Sequence, residues 1–273
     1  MAAPRDGATG RGLHWQGTIL YPLALVAMFL AGQLLLGALG VPPSQRAAPA
    51  AVPALLALLL TLPWRLRRAW NVDHPWRSLG VRGAAPSLGL ALLGGLSRAA
   101  LLLGLVIAGL AMAGALTWQP RLSLELLANA LLLGLGVGFA EELLFRGWLL
   151  GELSLLIGGR RAVWLQAGLF SLVHSRFTLQ PTLLVGLLGG LLLFGLALAL
   201  QRRADGGVLW GAVGLHGGLV GGWFLLNQGM VIVDPAAPGW LTGPANPIGG
   251  ALGWLGLGLL VLALRPSWPR PCR

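Results

Sequence analysis

Apolar residues in this chain run in long blocks, not in the alternation of a half-buried strand or the one-sided stripe of a soluble helix. Eight blocks stand out, at about 17–40, 47–64, 98–117, 124–150, 162–178, 182–200, 207–228 and 248–264. Each approaches the roughly 20 residues that a helix needs to cross about 30 Å of hydrocarbon. The pattern predicts an all-α, polytopic membrane protein with about eight transmembrane helices. The second block is the weakest, because Pro49, Pro53 and Pro63 interrupt it. Residues 85–97 predict a helix lying on the membrane before Arg98 anchors the third span, and the proline-rich stretch 229–247 predicts a loop.

Composition agrees with that class: 56% of the 273 residues are hydrophobic and 10% are charged. The net charge of +11 comes from 19 basic residues, all arginine. They lie mostly between the apolar blocks, which makes them a topology signal and not a nucleic-acid surface. The partners expected are therefore the lipid bilayer and no nucleic acid. With eight spans and a cytoplasmic N-terminus, the inner segments hold fourteen arginines, in the groups 5 and 11, 65 to 82, 160 and 161, 202 and 203, and 265 to 273. Only Arg46, Arg121 and Arg176 fall outside. The positive-inside rule then places both termini in the cytoplasm of a plasma (inner) membrane. The first block is longer than a signal-peptide core of 7–15 residues and is read as an uncleaved span. Cys272 is the single cysteine, so no internal disulfide can form.

Against this background, Glu141, Glu142 and Arg146 inside the fourth block are out of place. An ionised group near the bilayer centre costs about 3 to 15 kcal/mol and usually faces a bundle interior or a watery cavity. Glu142 and Arg146 are four apart, on one helix face, with the acid first, as an ion pair prefers; Glu141 points about 100° away and is the free acid. His174 in the fifth block and His216 in the seventh complete the set. With a rise of 1.5 Å per residue, Glu141, His174 and His216 fall about 14, 18 and 14 Å from the cytoplasmic boundary. That predicts a catalytic layer between helices four, five and seven. One carboxylate and two imidazoles can activate water, or can supply a two-histidine, one-carboxylate site for a divalent metal such as zinc. Spacing leaves the cofactor open, since no His-Glu-x-x-His run occurs.

Glu141-Glu142-x-x-x-Arg146, then Phe170-x-x-x-His174, then His216 resembles the CPBP family of intramembrane proteases, which includes the type II CAAX prenyl endopeptidases and bacteriocin-processing or self-immunity proteins. The resemblance covers roughly residues 124–228. It divides the chain into N-terminal spans with an Arg/Trp-rich cytoplasmic loop (1–123), a catalytic core (124–228), and an outer loop with the last span and a basic tail (229–273). It implies an endopeptidase acting on a membrane-anchored protein or peptide. Glu141 would be the water-activating acid, Glu142 and Arg146 its motif partners, and His174 the second catalytic residue, while His216 helps hold the oxyanion or the water. Family members have been described both as metalloproteases and as metal-free enzymes.

One position departs from the family pattern, which commonly has Asn or Asp four residues after the last histidine: here it is Val220. Asn227 lies about 16 Å further along the axis, too far to substitute. A backbone N–H, Ser171 or Ser175 are the alternative donors. Val220 favours a second reading, a non-catalytic scaffold, immunity or regulatory protein of the same fold. A third, a proton-coupled transporter, is disfavoured because the ionisable residues cluster in 141–216 without an inverted repeat.

The topology expectation has a direct check. Reporter fusions at residue 80 and after residue 273 should read inside and one near residue 240 outside; an outside signal at 80 removes the second span from the topology.

Overall fold

In a computed structural model, which describes residues 13–244 and 246–269, the chain is almost wholly helical. The arginines at 5, 11, 270 and 273, and Cys272, lie outside the described residues. Two compact units divide after Ser78.

The first unit is a helical hairpin. Helix α1 (Trp15–Ala38) packs on α2 (Pro43–Ala69), and a short turn of helix, α3 (Pro75–Ser78), follows. The three prolines lie within an unbroken α2, where they cost fewer contacts than in a soluble core because neighbouring helices can absorb the kink. Close approach comes from Gly32, where an added Cβ would sit 3.2 Å from that of Ala50. Tyr21 meets Thr61 at 2.9 Å and lies under the Arg65 guanidinium.

The second unit carries the remaining elements. They are α4 (Ala85–Met112), β1 (Leu116–Trp118), α5 (Leu124–Glu142), a π-helical segment (Leu143–Leu149), α6 (Leu150–Ile157), α7 (Gly159–Val173), α8 (Pro181–Ala204), α9 (Trp210–Gly229), β2 (Val231–Val233), α10 (Gly239–Thr242) and α11 (Ala251–Leu264). Helix α9 runs between α4 and α5, and glycine makes this fit. One face, Gly214, Gly218 and Gly222, lies on Leu92, Ala99 and Leu103 of α4. The other, Gly217 and Gly221, lies on Gly134 and Ala130 of α5. A Cβ on Gly95 would come within 2.1 Å of the Gly211 carbonyl, so backbones here touch without side chains between them. Gly186 and Gly190 in α8 receive Gly249 and Ile248 in the same way.

Two expectations need correction. Residues 85–97 are not a separate surface helix: they form the first half of a continuous α4, whose Gly95 seats α9. The stretch 229–247 is not all loop, because β2 pairs antiparallel with β1 in the register Leu116↔Val233, Thr117↔Ile232 and Trp118↔Val231. Gln119 and Arg121 continue the ladder by donating to the carbonyls of Met230 and Gly229. This clasp ties the start of α5 to the end of α9, the two helices that carry Glu141 and His216.

The eight apolar blocks all appear as helix, and five helices among the described residues are long and apolar enough to cross a membrane: Trp15–Ala38, Pro43–Ala69, Ala85–Met112, Leu124–Ile157 and Pro181–Ala204. Helices α7 and α11, with 15 and 14 residues, are shorter, and α9 is diluted by glycine. The fold is that of an all-α polytopic membrane protein.

Candidate active site

Glu141 and Glu142 end α5, and the next seven residues widen into a π-helix. A π-turn adds a residue to the helical repeat and changes which side chains share a face beyond it; such turns recur at functional sites. Here it keeps Arg146 beneath Glu142 while burying Phe145, Gly147, Trp148 and Leu149.

The Arg146 Nη1 donates to Glu142 Oε1 at 2.7 Å, with both side chains fully buried. The guanidinium also lies on the Phe170 ring, its Cζ 4.2 Å from the centroid, so the ring's negative face meets part of a charge that water cannot reach. Arg146 Nε and Nη2 and Glu142 Oε2 have no hydrogen-bond partner among the described residues. Buried polar atoms left in this state are uncommon and deserve a functional explanation.

The same Glu142 Oε1 lies 2.7 Å from His216 Nδ1. An oxygen already accepting from Arg146 accepts here too, so His216 donates through Nδ1, which leaves Nε2 as the ring nitrogen turned to the site. That Nε2 faces Glu141 Oε2 at 3.8 Å. His174 stands just past the end of α7, with its Nδ1 donating to the Phe170 carbonyl at 2.8 Å and its Nε2 3.0 Å from the same Glu141 oxygen. Because His174 Nδ1 keeps its hydrogen on that carbonyl, one proton is shared between Glu141 and His174 Nε2. Glu141 retains partial access to solvent; Glu142 has none.

The structure thus brings Glu141, Glu142, Arg146, His174 and His216 into one cluster and leaves four positions elsewhere. Ser171 and Ser175 are not free donors, since their hydroxyls donate to the carbonyls of Leu188 and Ser171 at 2.7 Å each. Asn227 is exposed near the far end of α9, and Val220 is half-buried on the same helix.

Two residues contribute more than the sequence reading assigned them. Phe170 acts as a hub: its ring contacts Phe145, His174, His216 and Phe194, and its carbonyl orients His174. The four-residue spacing to His174 was its only signal. Arg202, counted above with the topology arginines, is buried; its Nη1 donates to the Arg146 carbonyl and lies 3.4 Å from that of Gly147. It thereby receives carbonyls that the widened turn presents. Arg203, its neighbour, is exposed and bonds the Ser267 carbonyl.

The donors for a metal are directed at one another. Both Nε2 atoms close on one Glu141 oxygen, and both Nδ1 atoms are committed. Among the described residues, no group of three or more His, Cys, Asp and Glu is placed to hold an ion. The residues as arranged do not fit a three-ligand site, and no step below passes through one.

The fold and the site define a class, a helical membrane protein whose interior holds an acid–histidine cluster buttressed by a buried ion pair. Residues 123–221 match the family model described as Rce1-like, type II CAAX prenyl endopeptidase Rce1-like, which bears out the resemblance drawn from the motifs. No curated protein matches the chain.

The ion pair makes a prediction. Arg146→Ala leaves Glu142 buried with one partner fewer and should cost about 3–5 kcal/mol of stability. The double variant Glu142→Gln, Arg146→Gln, which leaves no bare charge, should recover part of that loss. Thermal unfolding in detergent checks both, and a double variant that is no more stable than the single one argues against an electrostatic origin.

Proposed function

We propose that the chain is an intramembrane endopeptidase that hydrolyses a peptide bond near a membrane-anchored segment of its substrate, and that residues 124–228 carry the activity. The observation that carries this reading is the Glu141 carboxylate set between the Nε2 atoms of His174 and His216. The family match over 123–221 supports a protease of the CAAX type in general.

In this mechanism Glu141 takes a proton from a water molecule whose oxygen attacks the scissile carbonyl carbon. His216 works here as the Nδ1–H tautomer, with Nδ1 serving Glu142, and its Nε2 accepts a hydrogen bond from the water's other O–H and aims it. His174 Nε2 gives the proton it shares with Glu141 to the amide nitrogen as the C–N bond breaks, freeing the amine. The proton that Glu141 took from water then crosses 3.0 Å to refill the shared position. Arg146 acts through Glu142, fixing the His216 ring. Both termini are placed in the cytoplasm of a plasma (inner) membrane in this proposal, on the arginine asymmetry alone.

The oxyanion is the weak point. Val220 offers no donor, and the hydroxyls of Ser171 and Ser175 are engaged, which favours the second reading, a non-catalytic scaffold. A missing oxyanion donor typically lowers turnover by about 10²–10³, so the protease reading is of a slow enzyme that uses a backbone N–H.

Two measurements decide between the readings. Glu141→Gln should remain folded and lose cleavage of a proteome-derived peptide library by purified protein, with Glu141→Ala as control; undiminished cleavage by Glu141→Gln makes the base assignment wrong. Val220→Asn should raise single-turnover cleavage several-fold with little change in thermal unfolding. Folded Val220→Asn with unchanged rate places the oxyanion elsewhere, and no cleavage by any form transfers the conclusion to the scaffold.

A further inference from the structure

Away from the acid–histidine cluster, an open cavity of about 300 Å³ lies between α4 and the turn that joins α8 to α9, lined by Ser87, Leu90, Gly94 and Arg98 on one side and Asp205 and Val208 on the other. Its two charged residues are half-buried and have opposite sign. The Arg98 guanidinium has no hydrogen-bond or ion-pair partner among the described residues; it folds back along its own helix, with Nη1 3.1 Å from where a Cβ on Gly94 would stand. Asp205 accepts one bond, from Gln201 Nε2 to Oδ2 at 2.8 Å, and its Oδ1 takes none among the described residues. The two side chains feel each other without forming a salt bridge. Burial pushes the Asp205 carboxyl above the usual carboxylate range, against the lowering pulls of the Gln201 amide and the Arg98 charge.

A cation and an anion held apart across one cavity complement a ligand carrying both charges a short link apart. The depth of the cavity narrows the choice. It adjoins the end of α8, where Arg203 is exposed and the chain turns back, and the backward lean of Arg98 is that of a long side chain reaching from hydrocarbon toward a polar boundary. On the same face of α4, Leu90 in the cavity wall, Leu93 beside it and Leu101 beyond Arg98 are exposed. Such a face suits acyl chains running from the cavity toward the bilayer interior.

We propose that this cavity binds the headgroup of a zwitterionic phospholipid with a primary ammonium, of the phosphatidylethanolamine class, with Arg98 taking the phosphate and Asp205 the ammonium. Arg98 supplies charge-assisted donors to phosphate oxygens. Asp205 Oδ1 accepts an N–H from the ammonium, which a trimethylated headgroup cannot offer. The bound lipid would bridge α4 to the α8–α9 turn, beside the seat of Gly211 on Gly95. The proposal stands apart from proteolysis, and its test does not use cleavage.

The test counts lipids retained by full-length purified protein in native mass spectrometry, after exchange into equal mixtures of dioleoyl phosphatidylethanolamine, its N-methylated series up to phosphatidylcholine, and phosphatidylglycerol. The unmodified protein should retain phosphatidylethanolamine about five-fold over phosphatidylcholine, as one charge-assisted hydrogen bond in a partly exposed site allows. Retention should fall stepwise with methylation. Asp205→Asn, which keeps an acceptor for Gln201, should erase that preference, and Arg98→Gln should lower retention of all three classes. Equal retention of the ethanolamine and choline lipids by the unmodified protein overturns the proposal without reliance on any variant. So does a preference that survives Asp205→Asn. Free phosphoethanolamine at millimolar concentration should neither bind nor compete; if it displaces the lipid, the site belongs to a soluble zwitterion and the lipid assignment fails.

Discussion

The bilayer withholds water, and a buried charge must then find its partners within the protein. Glu142 and Arg146 meet that demand with each other, 2.7 Å apart at zero exposure. Neighbouring features are arranged around this pair. Phe170 offers its ring to the guanidinium, His216 takes its tautomer from the carboxylate, and the Arg146 main-chain carbonyl is received by Arg202. The pair need not add net stability, because desolvation can cancel the Coulomb gain. What it supplies is direction: a histidine ring tied to a buried carboxylate has a fixed plane and one ring nitrogen left to offer.

Backbone contact fixes where that nitrogen points. Helix α9 carries His216 between α4 and α5, meeting the α5 backbone at Gly217 and Gly221 and the α4 backbone at Gly211 and Gly214, so backbone contacts set its distance from both neighbours. The two-strand clasp of β1 and β2 holds the far ends of α5 and α9 together. Rigid elements with short-range contacts keep functional groups in place better than loops do. His174 is the exception, lying just beyond the last turn of α7 and held through the Phe170 carbonyl.

Much of this was legible in the residues. Long apolar blocks gave the helices because hydrocarbon length leaves few alternatives, and the i,i+4 spacing gave the Glu142–Arg146 pair because that relation survives in the widened turn. The π-segment itself was hidden: Leu143, Leu144, Phe145, Trp148, Leu149 and Leu150 are apolar all round, and periodicity carries no phase where every face is greasy. Arg202 was hidden by its neighbour, since two adjacent arginines at a helix end read as one topology signal although they point about 100° apart. The continuity of α4 was obscured because an arginine in mid-helix looks like an anchor at a helix start. The serine hydroxyls could not be read as engaged, because their acceptors are backbone carbonyls, one of them on another helix.

The wide turn at 143–149 also makes the length of this segment a functional quantity. A π-turn holds one residue more than the α-turn it replaces, so a chain one residue shorter here would close into ordinary α-helix. Everything from Leu150 onward would then swing by about 100° relative to Glu141 and Glu142. The carbonyls that Arg202 Nη1 receives would be turned inward to partners of their own, removing that link between the segment and α8. The tolerance of the segment is thus of an unusual kind: side chains of similar volume can be exchanged along it, but its residue count cannot change without cutting the acids off from the helices that complete them.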